Sequence, residues 1–143
     1  LVGSEMCIRD SNKDISIFIT NKDSQEINVQ ADPDRIHQVF DNLISNAIRY
    51  TDSGEIEIAI NRKADRVNFS IKDTGIGIDN EALERIFERF YRTLTARSRV
   101  RSGTGLGLSI VKHIIEAHES NIEVKSVLGK GTTFSFELNL DHD

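Results

Sequence analysis

Gly103-Thr104-Gly105-Leu106-Gly107-Leu108-Ser109 runs without a break into an apolar-periodic segment, Ile110 to His118. Alternate glycines leave backbone N–H groups uncovered by side chains, and a helix starting beside them adds its own unpaired N–H groups and the positive end of its dipole. That combination suits a polyphosphate. The residues before it are basic and polar rather than an apolar strand, which is the wrong order for a Rossmann or Walker loop. A glycine-rich turn before a helix also occurs in ordinary loops, so its meaning depends on what surrounds it.

Immediately upstream, Arg92, Arg97, Arg99 and Arg101 fall within Arg92 to Ser102, a stretch with little apolar content. Taken alone it is a solvated loop; followed by the glycines it reads as a lid whose cations meet phosphate or a partner's acidic surface. Before it, Asp79 is placed to cap a short helix with apolar positions Leu83, Ile86, Phe87 and Phe90. Further back, Ile56, Ile58 and Ile60 alternate, then Val67, Phe69 and Ile71, which predicts a hairpin. Its second strand ends in Asp73-Thr74-Gly75-Ile76-Gly77-Ile78. An aspartate at a strand end, followed by glycines that let the backbone come close, can accept a hydrogen bond from a ligand's exocyclic amine. It can equally be a turn-forming aspartate.

Asp32-Pro33 pairs an N-cap with proline at the first helical position and predicts a helix to about Tyr50. Ile36, Val39, Phe40, Leu43, Ile44, Ala47 and Ile48 give it a continuous apolar stripe that must lie on a sheet. Asn42 and Asn46, four apart, stack on one border of that stripe. Two amides there can ligate a cation or hold phosphate oxygens without carrying charge, although read alone they are two polar residues on a helix flank. Ahead of this helix, Ile15, Ile17 and Ile19 alternate, then Ile27 and Val29, and both segments read as half-buried strands. At the other end, Ile122 and Val124 form a strand, Gly129-Lys130-Gly131 a turn, and Phe134, Phe136, Leu138 and Leu140 a final strand. The order strand, strand, helix, hairpin, helix, helix, hairpin implies an α+β sandwich of two layers. Its sheet is mixed and mostly antiparallel, of about five strands, with about three helices on one face.

Leu1 to Ser11 shows neither period and resembles translated vector sequence, the alternative being a frayed natural N-terminus, so it is set aside, leaving residues 12–143 as one domain. Lys and Arg number 18 against 23 Asp and Glu, a formal net charge of −5, which argues against nucleic acid as a partner. No apolar run is long enough to cross a bilayer, so no membrane contact by this domain is expected. The single cysteine, Cys7, excludes a disulfide framework and a cysteine-based zinc site.

Together the spaced motifs resemble the catalytic and ATP-binding domain of bacterial sensor histidine kinases, in the superfamily shared with gyrase, the large heat-shock chaperone and MutL. Asn42 to Tyr50 resembles the N box, Asp73 to Ile78 the first glycine box, Ile86 to Arg92 the F box and Gly103 to Ser109 the second glycine box. The resemblance extends from Asp14 to Leu140 and implies a Bergerat-type sandwich. It implies that Asn46 ligates a Mg²⁺ bridging the phosphates of ATP, with Asn42 beside it, and that Asp73 accepts from the adenine amino group. Gly75, Gly77 and Ile78 give the base room. Arg49 and Tyr50 resemble the family's basic and aromatic pair near phosphate and base, and Arg92 the lid cation near the terminal phosphate. Gly103, Thr104, Gly105, Leu106, Gly107 and Leu108 would line the phosphates, and Thr132 would reach the adenine pocket through water.

ATP-hydrolysing relatives place a glutamate where this chain has Asn42. An amide cannot take a proton from water at neutral pH, so transfer of the γ-phosphoryl group to a neutral histidine is expected instead. His37, His113, His118 and His142 lack the family's acceptor setting and read as structural or surface residues. The resemblance therefore implies a separate dimerisation hairpin carrying the acceptor, a response regulator further on, a cytoplasmic location in a parent protein that other relatives anchor in the membrane, and a monomeric isolated domain. Three other readings share the boxes: a chaperone-like or MutL-like ATPase, an anti-sigma-factor serine kinase, and a degenerate nucleotide-binding module. The family usually continues His-Gly-Gly after its last helix. Here the chain has His118-Glu119-Ser120-Asn121, and Asn121 is the expected left-handed cap.

Overall fold

The computed structural model describes residues 8–9, 14–21, 27–88 and 107–140. Asp32 opens the first long helix, α1 (Pro33–Arg49), its Oδ1 accepting from the backbone N–H of Asp34 at 3.1 Å and of Arg35 at 3.4 Å. Proline at the first position needs no amide partner, so cap and proline together fix the start. Val39, Leu43 and Ala47 are buried along one stripe. This helix is the crossover between β2 (Asp14–Asn21) and β3 (Ser53–Lys63), which pair in parallel, an arrangement no tight turn can make. The remaining pairings are antiparallel: β3 with β4 (Arg66–Asp73), β4 with β6 (Gly131–Asn139), and β6 with β5 (Glu123–Val127). A two-residue edge strand, β1 (Ile8–Arg9), pairs antiparallel with β2 and lies within the segment set aside from the sequence. The sheet order is β1-β2-β3-β4-β6-β5, five substantial strands and that short edge. Short α2 (Asn80–Leu83) and α3 (Gly107–Ala117) complete the described elements.

The two central strands place the site. Val67 pairs with Leu138, Phe69 with Phe136 and Ile71 with Phe134, and all six are buried. Phe69 and Phe136 stack at 5.4 Å between centroids, and Phe40 of α1 meets them at 5.6 and 5.7 Å. Such ring pairs add about 0.5–1.5 kcal/mol each beyond their area. The next rung along the same inward row is Asp73 opposite Thr132, still buried but polar. An apolar row that turns polar at its last rung, under cover, is where this sheet stops being only a core.

Three expectations change. Ile27 and Val29 form no strand: there is one bridge, Val29 to Leu140, and a Gln30 N–H donating to the Asn139 carbonyl at 2.9 Å. Helix α1 starts too soon after Val29 for a ladder to grow. The last helix begins at Gly107, inside the glycine motif rather than after it. Its end is capped by Glu119 at φ 59°, not by Asn121. The Ser120 N–H reaches the Ile115 carbonyl at 3.2 Å and the Glu119 N–H that of Glu116 at 3.0 Å, the paired bonds of a Schellman end. Where the helix stops decides which residue turns left-handed, and that is two residues earlier than side-chain preference selected.

Candidate functional site

Asp73 is 5% exposed, and its Oδ1 accepts from the Gly75 N–H at 2.9 Å and the Thr132 N–H at 3.2 Å. Both bonds land on one oxygen, so among the described residues Oδ2 is left for something else. Burial pushes this carboxyl above its ordinary value, against the pull of the Gly75 and then the Thr132 amide. The loop that follows is held on three sides. The Thr74 N–H donates to the Glu55 carbonyl at 3.1 Å, the Ile76 N–H to the Tyr50 carbonyl at 3.1 Å, and the Gly129 N–H to the Ile76 carbonyl at 2.8 Å. A Cβ on Gly75 would strike the Tyr50 carbonyl oxygen and come within 2.8 Å of Thr51 Oγ1. Gly77 sits at φ +74°, and a Cβ there would strike the Val127 carbonyl. Glycine at these two positions is thus required by close approach and by handedness respectively.

Helix α1 runs from this loop to the start of α3. Asn42, Asn46 and Tyr50 recur every four residues, a line of about 12 Å at 1.5 Å per residue. All three are half-buried. At its far end the Asn42 Nδ2 donates to the Gly107 carbonyl at 3.4 Å. This brings the N box against the start of α3, whose first-turn N–H groups have no intrahelical acceptors. Arg49 and Leu108 are half-buried at the corresponding ends of α1 and α3. Phe87 packs edge-on against Phe134 at 6.2 Å, tying the F box to β6.

The structure therefore brings together Asp73, Gly75, Gly77, Ile78, Tyr50 and Thr132 at one end, and Asn42 and Gly107 at the other. Arg92, Gly103, Thr104, Gly105 and Leu106 lie outside the described residues. The sequence reading missed two residues. Thr51 is fully buried beside Gly75, and its Oγ1 has no hydrogen-bond partner among the described residues. Ser126 Oγ accepts from the Ile78 N–H at 2.7 Å and contacts Thr132 Oγ1 at 2.8 Å. Counting pairs back from the Gly129-Lys130-Gly131 turn would have set Ser126 opposite Thr132; nothing in the sequence marked Thr51.

A family profile described as "Histidine kinase-, DNA gyrase B-, and HSP90-like ATPase" matches residues 31–142. The chain is 44% identical over 124 residues to the sensor histidine kinase WalK of Bacillus subtilis (strain 168), covering 85% of this chain and 20% of WalK. It is 53% identical over 108 residues to the sensor protein SrrB of Staphylococcus aureus (strain NCTC 8325 / PS 47), covering 75% of this chain and 18% of SrrB. Among solved structures, the nucleotide-free catalytic domain of histidine kinase ThkA superposes with a TM-score of 0.73 at 35% identity, covering 90% of this chain and 79% of that one. Full-length ShkA in complex with AMPPNP gives 0.72 at 31% identity, covering 89% of this chain and 25% of ShkA. The chain thus spans about a fifth of the length of the curated relatives it matches.

Proposed function

The chain belongs to the histidine kinase-, DNA gyrase B- and HSP90-like ATPase family, as a histidine kinase catalytic domain, and on that premise we propose that it binds ATP along α1 and passes the γ-phosphoryl group to a histidine. That histidine belongs to a dimerisation hairpin of the parent kinase, from which a response regulator is served in turn. The observation that carries this reading is the buried Asp73 with one oxygen engaged and the other without a partner among the described residues, at the end of a line of amides leading to Gly107. The free oxygen suits the amino group of adenine. Gly75 and Gly77 let the loop after Asp73 pack against the Tyr50 and Val127 carbonyls, which holds that loop beside the base, and the phosphates fall between Asn42, Asn46 and the first turn of α3.

Within that arrangement Asn42 uses its Nδ2 on the Gly107 carbonyl, which leaves its Oδ1 available to a ligand. An amide oxygen can orient a phosphate or a cation but cannot serve as a base towards water, which favours transfer over hydrolysis. Among the described residues no cluster of three or more His, Cys, Asp or Glu side chains could hold a metal alone. Mg²⁺ keeps several waters and takes most of its ligands from phosphates, and Asn46 would supply the protein oxygen. When bound it would neutralise charge on the phosphates. The chain's own part is positioning: amides hold the phosphates in line and Asp73 fixes the base, with Arg92 and the glycine motif assigned to the terminal phosphate by the resemblance alone.

No helix among the described residues is long and apolar enough to cross a membrane. We place the domain on the cytoplasmic side of its parent protein, where ATP is. Incubation with [γ-³²P]ATP and a separately expressed dimerisation hairpin tests the assignment. Acid-labile, base-stable label on the hairpin supports it. Free phosphate alone would make the chain an ATPase, and label on a serine of a partner a serine kinase. Neither product would leave a binding module.

A further inference from the structure

Ser126 belongs to none of the four boxes, yet its hydroxyl meets three groups at once. The Ile78 N–H donates to Oγ at 2.7 Å, the Gly131 carbonyl oxygen lies 2.8 Å away, and Thr132 Oγ1 lies 2.8 Å away. A serine hydroxyl has one proton and two lone pairs. An amide N–H can only donate and a carbonyl can only accept. The Ser126 proton therefore goes to Gly131 and one lone pair takes the Ile78 N–H. The last lone pair makes Thr132 the donor in the remaining bond. The Thr132 hydroxyl proton is thus turned towards Ser126, and only lone pairs are left for any other neighbour. Thr132 is 6% exposed, and its own amide is bonded to Asp73 Oδ1 at 3.2 Å. Carboxylate and hydroxyl together form a buried wall that offers acceptors.

We propose that Ser126 is a specificity-determining positioning residue: by holding the Thr132 proton away from the base pocket, it keeps the wall acceptor-only and so selects a 6-aminopurine over a 6-oxopurine. This rests on the assignment of Asp73 to the base pocket. A 6-amino group in direct contact brings a donor to that wall. A 6-oxo group brings an acceptor to face acceptors, and leaves buried lone pairs unmatched. Without the Ser126 hydroxyl, Thr132 can rotate and donate to the 6-oxo group. The Ile78 amide also loses its partner in that variant, but this affects both nucleotides alike. The ratio of affinities is therefore the quantity to read.

The experiment is calorimetric titration of ATP and of inosine triphosphate into the wild-type chain, Ser126→Ala, Ser126→Thr and Asp73→Asn. Ser126→Cys replaces the alanine variant should that one fail to fold. The expected result is a wild-type preference for ATP that narrows about tenfold in Ser126→Ala and returns in Ser126→Thr. Equal weakening of both nucleotides in Ser126→Ala, with the preference intact, overturns the proposal while leaving the base pocket standing. A wild-type chain that fails to prefer ATP, or an Asp73→Asn variant that keeps the preference, overturns the pocket assignment and this inference with it.

Discussion

Asp73 and His118 are both polar side chains that tie distant parts of the chain together, and they do so in opposite ways. His118 Nδ1 lies 2.8 Å from the Ile114 carbonyl, and Nε2 accepts from the Asp32 N–H at 3.1 Å. Each ring nitrogen has a partner, the proton sits on Nδ1, and the end of α3 is joined to the cap of α1. Asp73 joins the end of β4 to β6 and to its own loop, but both bonds converge on one oxygen while burial works against the charge. A group whose job is structural is completed by its neighbours. On the proposed reading, a group left incomplete among the described residues at a cost to the fold is the one that meets the ligand.

The largest expected effect breaks that comparison at its functional end. Asp73→Asn keeps an oxygen for the Gly75 and Thr132 amides and removes the buried charge, so the nucleotide-free domain should melt higher near neutral pH. The same change sets an amide NH₂ against the adenine amine. ATP affinity should fall about 10- to 100-fold, the range for losing a hydrogen bond to a charged group. The pH dependence gives the sign. A carboxyl raised in the fold from 3.8 contributes stability that is fully present below 3.8 and is lost as pH climbs through the raised value. ATP binding runs the other way, since only the ionised carboxylate is a pure acceptor. Thermal melts and titrations of wild type against Asp73→Asn across that acid range should therefore show opposite slopes, both absent in the variant. Parallel slopes would mean that Asp73 is a structural turn residue after all.

Much of this contrast was legible in the chain. The helical period put Asn42 and Asn46 on one border, and Asp32-Pro33 fixed where that border starts. Asp73 was visible as the polar end of an alternating strand. What the sequence could not supply was pairing. The Asp73–Thr132 rung and the Ser126 hydroxyl opposite it exist only because strands from distant positions come into register, and the Thr51 hydroxyl, without a partner among the described residues, is buried where the end of α1 meets the Gly75 loop. The same limit explains the misplaced strand at Ile27 and Val29, whose alternation was real but too short to pair.

The structural end of the comparison should respond differently. His118→Ala removes both ring bonds and should cost about 1–3 kcal/mol at roughly 0.5–1.5 kcal/mol per bond. ATP affinity should not move, because neither partner touches the site. Chemical denaturation and calorimetry on the same variant separate the two readouts. A loss of affinity matching the loss of stability would show that the α1–α3 junction sets the spacing between Asn42 and Gly107, and that the division between the two ends is wrong.

The smallest effect concerns the residue next to it. Glu119 holds φ 59° at the left-handed end of α3, where a side chain costs about 1–2 kcal/mol relative to glycine. Part of that advantage is returned through the greater freedom of glycine in the unfolded chain. Glu119→Gly should therefore stabilise the domain by about 0.5–1 kcal/mol, a rise of roughly 2–4 °C in Tm. Glu119→Ala is the sharper control. It removes the same charge and side-chain atoms but keeps the Cβ, so backbone strain predicts no gain from alanine and a gain from glycine. If both variants gain equally, the cause is the glutamate's charge near the helix end rather than its handedness. The Schellman end would then be an unstrained choice of this chain and not a tolerated departure from the glycine that usually stands there.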